Sequence, residues 1–174
     1  MLPLSEFQVR IAILADLEPI CSIMRCPDVQ KQQYRIDEVR WLEFAKKTIL
    51  ATQPADNRID VVVVSGTVVG YLVSRRQVYR DSEYAYLSFN LDPEFWGRGL
   101  MEIALRKIIN ELFQKERVQG VMVECFFGNS QCQRLLQKLS FRSVPIPISE
   151  RLLCLATRLP IRWVLRFWLS KDSV

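Results

Sequence analysis

Residues 96–101, Trp-Gly-Arg-Gly-Leu-Met, place two glycines around an arginine at the entrance to an apolar helical pattern. Glycine is costly where a helix opens because it gives up the most conformational freedom on folding. Even so, two of the six glycines in the chain, Gly97 and Gly99, stand here. A strand, a glycine turn and a helix start together suit an anion. The first helical N–H groups have no intrahelical partner, the helix dipole favours negative charge, and glycine leaves the backbone unshielded. The dipole contributes only about 0.3–1 kcal/mol when exposed, so several N–H groups must converge to hold a phosphate. The plainer alternative is a strand-to-helix connection with Arg98 in solvent.

Other chemistry is limited by what the chain lacks. Histidine is absent, which removes Ser-His-Asp and Cys-His nucleophiles and leaves proton transfer to a carboxylate, a tyrosine, a cysteine, a lysine or water. Five cysteines (Cys21, Cys26, Cys125, Cys132 and Cys154) are an odd number without CxxC spacing. They read as free thiols, with no metal site and no disulfide framework. The net charge of +5 suits an anionic ligand but is too small and too dispersed to imply nucleic acid.

The elements that must position these groups follow from periodicity. The 174 residues suffice for one domain with a substantial core. No apolar run approaches the roughly 18 residues of a spanning helix. "MLPLSEFQVR" lacks the basic start and apolar run of a signal peptide, so cytoplasmic residence is expected. "FQVRI" alternates as a strand. Residues 15–25 place Leu17, Ile20, Ile23 and Met24 on one helical face, Pro27 breaks the pattern, and residues 36–51 resume it. Residues 59–66, 67–79 and 83–91 read as strands, the first two joined by a tight Ser65-Gly66 turn. Helix (100–115), strand (120–127), helix (129–140) and an extended edge with two prolines (141–148) follow. "RLLCLATR" fits a further strand, and Pro160 suits the first turn of an apolar helix over residues 160–170. The order describes an α+β domain: a mixed, mostly antiparallel central sheet of about seven strands flanked by helices.

Two blocks carry a resemblance. "LDPEFWGRGLMEIAL" followed by "NSQCQRLLQKLSF" is similar to the Gcn5-related N-acetyltransferase (GNAT) superfamily, in particular its ribosomal-protein N-terminal acetyltransferase branch. The family's Gln/Arg-x-x-Gly-x-Gly/Ala loop corresponds to Trp96–Met101, with Trp96 a frequent first residue in this branch. Met101 replaces the final small residue and would narrow the cradle. In the second block Asn129, Cys132, Lys138, Leu139 and Phe141 match, with Gln137 for Glu and Ser140 for Gly. "MRCPDVQKQQY" resembles the segment after the first helix of the branch. The resemblance covers the chain to about residue 158, which sets a core at about 6–158 within a single domain, 1–174.

The resemblance implies the acyl-CoA N-acyltransferase fold and acetyl-CoA as cosubstrate. Pantetheine would pair with backbone at Phe89, Asn90 and Leu91, and pyrophosphate with the N–H groups of Trp96, Gly97, Arg98, Gly99, Leu100 and Met101. Asn129 would contact the pantetheine arm and also suits a helix N-cap, while Phe89 equally suits a core strand. The family's base is a glutamate five residues before the motif asparagine, which is Glu124, at the end of an apolar strand. A carboxylate there also suits solvent or an arginine partner. The family's tyrosine acid falls at Leu136, which has no proton to give, while Ser130 and Cys132 lie on the same helix. Glu83, Asp92 and Glu94 read as exposed charges, and Tyr84 and Tyr86 as acceptor-pocket or core residues.

The expected activity is acetyl transfer from acetyl-CoA to a primary amine, a protein N-terminus or a small molecule, by direct attack. The alternative is a catalytically weak acyl-CoA-binding module of the same fold. The 160–170 segment would pack on the domain or across a homodimer, or rest as a basic amphipathic helix on a membrane.

Overall fold

A computed structural model of the protein describes residues 6–33, 37–51, 56–79, 82–115, 118–145 and 164–173. Alternating sequence becomes seven strands of one sheet: β1 (Phe7–Ile11), β2 (Asn57–Val64), β3 (Thr67–Tyr79), β4 (Ser82–Leu91), β5 (Gly120–Phe126), β6 (Arg142–Val144) and β7 (Val164–Ser170). They lie in the order β1-β2-β3-β4-β5-β7-β6, with every neighbouring pair antiparallel except β4 and β5. Ser65 and Gly66 join β2 to β3 with positive φ at both residues, the backbone that matches the twist of a two-residue hairpin.

The helices are α1 (Leu17–Arg25), α2 (Pro27–Gln30), α3 (Glu38–Leu50), α4 (Leu100–Lys115) and α5 (Ser130–Lys138). Strand alternation divides the core between the two faces of the sheet. Val61, Val63, Tyr71 and Val73 pack with α1 and α3 through Ile20, Trp41 and Ala45. Leu87, Val121, Val123 and Phe167 pack with α4 and α5 through Ala104, Leu105, Ile108 and Leu136. Each fully buried Leu or Ile stabilises by about 1.5–3 kcal/mol, so these two layers fix where the helix ends fall.

Pro27 breaks the helical pattern as expected, α1 stopping at Arg25, and it opens the short α2, where its missing N–H costs nothing. One expectation needs correction. Within the expected 160–170 helix, residues 164–170 form β7, paired with β5 on one side and β6 on the other. The reason is burial on two faces: Phe167 and Leu169 enter the core with period two, while Trp168 lies over the other face. Of the apolar side chains that suggested a dimer face or a membrane-resting helix, Leu165, Phe167 and Leu169 pack in the core and Trp168 lies against Gly120. The expected strand at "RLLCLATR", Cys154, and Pro160 with its neighbours to 163 lie outside the described residues. Among the described residues, no helix is long and apolar enough to cross a membrane.

The parallel pair positions the site. β4 and β5 pair only from Tyr84↔Gly120 to Leu87↔Val123. Beyond that, Ser88–Leu91 and Glu124–Phe126 run on without pairing each other, and a wedge opens between them. α4 follows β4 and α5 follows β5, so both helix starts sit at the open end.

Candidate active site

The backbone of β4 faces the wedge on alternate residues. Asp92 donates its N–H to the Val69 carbonyl, 2.8 Å away at the β3 side, whereas the Glu83 carbonyl accepts from Gln119 N–H, 2.7 Å away, before β5. Odd-numbered positions therefore turn toward the gap, and Phe89 and Leu91 present their backbone groups there. The Leu91 carbonyl accepts the Trp96 indole N–H at 2.7 Å, which fastens the loop to the strand end. Asp92 caps the short turn Pro93–Phe95 by accepting from Glu94 N–H at 2.9 Å.

Gly97 and Gly99 have φ of 73° and 76°, a left-handed backbone that L side chains rarely adopt. A Cβ placed on either meets no atom within 4 Å, so open space lies against the bare backbone. Ile103 donates to the Gly99 carbonyl at 3.2 Å, the first bond of α4. The N–H groups of residues 100–102 consequently precede the helical ladder and remain available to an anion.

A groove of about 390 Å³ collects every residue expected to hold the cosubstrate, from Phe89 and Asn90 through Gly97 and Gly99 to Asn129, except Arg98. The Arg98 guanidinium is instead 5.0 Å from the Phe95 ring centroid, and the residue is exposed. Met101 is only 7% exposed and packs in the core while also lining the groove. Asn129 caps α5, its Oδ1 accepting from Cys132 N–H at 3.0 Å, and still lines the groove. Arg134, which sequence reasoning overlooked, adds a cation along the groove from α5. Glu102 also lines it, its carboxylate held by Lys138 at 2.6 Å and Arg106 at 3.0 Å, and those pairings pull its pKa down.

A second pocket of about 310 Å³ lies beyond the wedge and shares Gln32, Phe89, Asn90, Asn129 and Cys132 with the first. The two cavities thus meet where the strands part. Trp41, Tyr71, Tyr86 and Glu124 line the second one. Asn90 donates to Gln33 and to the Tyr71 hydroxyl, both at 2.8 Å, tying β4 to the segment after α2. Burial holds the Tyr71 hydroxyl well above the usual phenol range, so it stays protonated.

Glu124 reaches this pocket, but in company. Its Oε1 accepts from Arg166 Nε at 2.8 Å and lies 2.7 Å from Arg166 Nη2, while its Oε2 accepts the Tyr86 hydroxyl at 3.1 Å. Arg166 comes from β7, directly opposite Glu124 in the register. Of the two alternatives for this carboxylate outside catalysis, the arginine partner is the one present. Tyr84 instead packs edge-on against Trp168 at 6.0 Å. Leu136 is fully buried in the core. On the same helix Cys132 is nearest the gap, and its hydrogen bond to Cys125, with burial, pushes its thiol up, whereas that bond pulls Cys125 down.

A sheet split between parallel strands, with a helix-start cradle on one side and a carboxylate pocket on the other, is an architecture for bringing two substrates together. The model of the acetyltransferase (GNAT) domain matches residues 8–142, and the chain belongs to that family. No curated protein sequence matches it. Similar solved structures include ribosomal-protein-S5-alanine acetyltransferase from Vibrio fischeri (14% identity, 96% of this chain and 94% of that one, TM-score 0.77). A ribosomal L7/L12 α-N-protein acetyltransferase in complex with coenzyme A is similar at 14% identity over 99% of both chains, TM-score 0.76. Spermidine N-acetyltransferase from Vibrio cholerae, in complex with CoA and spermine, is similar at 13% identity over 97% and 98%, TM-score 0.75. At these identities the likeness is one of fold.

Proposed function

We propose that the protein transfers an acetyl group from acetyl-CoA to a primary amine by direct attack. The observation that carries this reading is the junction of the two cavities at the wedge, one walled by the glycine cradle and the other by Glu124. The cradle fits the cosubstrate: bare backbone at Gly97 and Gly99, free helix-start N–H groups and Arg134 together match a pyrophosphate. Phe89 and Leu91 offer the strand edge that a pantetheine amide extends, and Asn129 lies beside them at the groove. Known structures of the fold with CoA, and with CoA and spermine, support the two ligand classes.

The chemistry asks little of side chains beyond positioning and one proton acceptor. The amine nitrogen bonds to the thioester carbon, the carbon–sulfur bond breaks, and one proton leaves the nitrogen. Glu124 receives it at Oε2, the oxygen that Arg166 leaves to the Tyr86 hydroxyl. Water supplies the proton for the departing thiolate, since Leu136 has none to give. The grip of Arg166 on Glu124 favours a second reading, an acyl-CoA-binding module with weak turnover.

Calorimetry with CoA and thiol release with acetyl-CoA over a broad amine panel separate the two. The expected results are CoA binding, its loss in Gly99→Glu without unfolding, and turnover that falls about 10²–10⁴-fold in Glu124→Gln. Binding without thiol release from any acceptor would favour the module. Absence of CoA binding would sink both.

A further inference from the structure

The second pocket bears a charge pattern that selects its occupant. Arg75 and Glu124 are the charged residues among those lining it. Glu124 is already matched by Arg166 at 2.7 Å, with both side chains largely buried at 16% and 14% exposure. Arg75 is exposed, and among the described residues no carboxylate pairs with it. The Phe44 ring of α3 supports its guanidinium, 4.8 Å from the ring centroid, and Tyr86 stands opposite it in the β3–β4 register. Among the described residues the pocket thus has a matched ion pair at Glu124 and, at Arg75, a cation with no carboxylate partner.

Resting on the acetyltransferase reading, we infer that the acceptor is an amine carrying a carboxylate, with Arg75 as the residue that binds that carboxylate. β3 lies two strands from β5, about 10 Å across the sheet. The carboxylate must therefore stand several bonds from the amine, as in a peptide with an acidic residue at its N-terminus or in a free acidic amino acid. A guanidinium recognises it through two parallel N–H bonds. A polyamine meets the reverse situation: its distal ammonium groups approach Arg75, and the one carboxylate of the pocket is already paired. Like charges in such a site disfavour the wrong partner more than they reward the right one.

The test measures kcat/KM by thiol release for C-terminally amidated tripeptides beginning Glu, Gln or Lys, for free glutamate, and for spermidine. The Glu peptide or free glutamate is expected to exceed the Gln peptide by about tenfold, with the Lys peptide and spermidine below it. Arg75→Gln should erase the preference, bringing the Glu and Gln peptides to the same kcat/KM, and Arg75→Glu should turn it toward the Lys peptide. Because Arg75 is exposed, an unchanged melting temperature verifies that both variants fold. Preference for the amidated Glu peptide over glutamate assigns a peptide terminus, and the opposite result a free amino acid. A Lys peptide or spermidine matching the acidic acceptors, or a preference that survives Arg75→Gln, overturns the inference alone. No release from any acceptor overturns it together with the acetyltransferase reading.

Discussion

Replacing Arg166 with Gln removes both N–H groups that reach Glu124 Oε1, at 2.8 Å and 2.7 Å, and leaves a largely buried carboxylate with the Tyr86 hydroxyl. Exposed ion pairs contribute about 0.2–1 kcal/mol, whereas breaking a fully buried one costs about 3–5 kcal/mol. At 14% and 16% exposure the pair lies between these limits, and charge-assisted bonds of this kind suggest a loss of about 2 kcal/mol for Arg166→Gln. Glu124→Gln should cost a similar amount, because it takes the paired carboxylate from a largely buried guanidinium. The double variant should cost less than the two single losses together, with a coupling of about 1.5 kcal/mol. Urea denaturation at constant m-value measures all three, and the single variants should melt about 4–8 °C lower. Arg166→Lys, which restores charge but not the two-pronged contact, should recover part of the loss. In the acetyl-transfer assay Arg166→Gln should lower kcat more than it raises KM, since Arg166 acts by positioning Glu124. Losses that add within about 0.5 kcal/mol would show that the two groups do not interact and would refute the coupling.

Gly120→Ala should destabilise by about 1–3 kcal/mol. Its Cβ would lie 2.1 Å from the Trp168 ring, which must move off Tyr84, and denaturation midpoints unchanged by the substitution would refute this. Asp60 gives a pH test. Burial under α4, only partly opposed by Arg58, pushes its carboxyl up from 3.8 to about 6 in the folded protein. The unfolded chain releases this proton first, so stability is full below pH 4 and declines as pH rises toward 6. Wild type should lose about 3 kcal/mol relative to Asp60→Asn across that window, and an opposite slope in denaturation against pH would refute the assignment. Trp96→Phe removes the 2.7 Å bond to the Leu91 carbonyl and should cost about 1 kcal/mol while weakening CoA binding by calorimetry. Unchanged affinity would mean that the loop holds its shape without the indole.

Local pattern made most of the fold legible. Period-two alternation and turn residues located the β2–β3 hairpin at Ser65-Gly66, and the 3.6 period located α4 and α5. The six-residue glycine loop and Asn129 were legible for the same reason, because a positive φ and an N-cap are requirements of a few adjacent residues. Residues 164–170 defeated this method. With apolar side chains on both faces, the segment satisfies a helix template as well as a strand, and what separates them is lodging between β5 and β6.

Most of the elements, the glycine loop and the family membership could be read from the sequence, since each depends on contacts within a few residues or on motifs. What surrounds them, and the strand at 164–170, came from tertiary packing. It brought Arg166 to Glu124 across 42 positions, buried Asp60 beneath α4, packed Met101 into the core and set Arg75 at the pocket wall with no carboxylate partner among the described residues. Charges and burial at the site depend on which strands become neighbours, and sheet pairing is a long-range choice that no local period encodes.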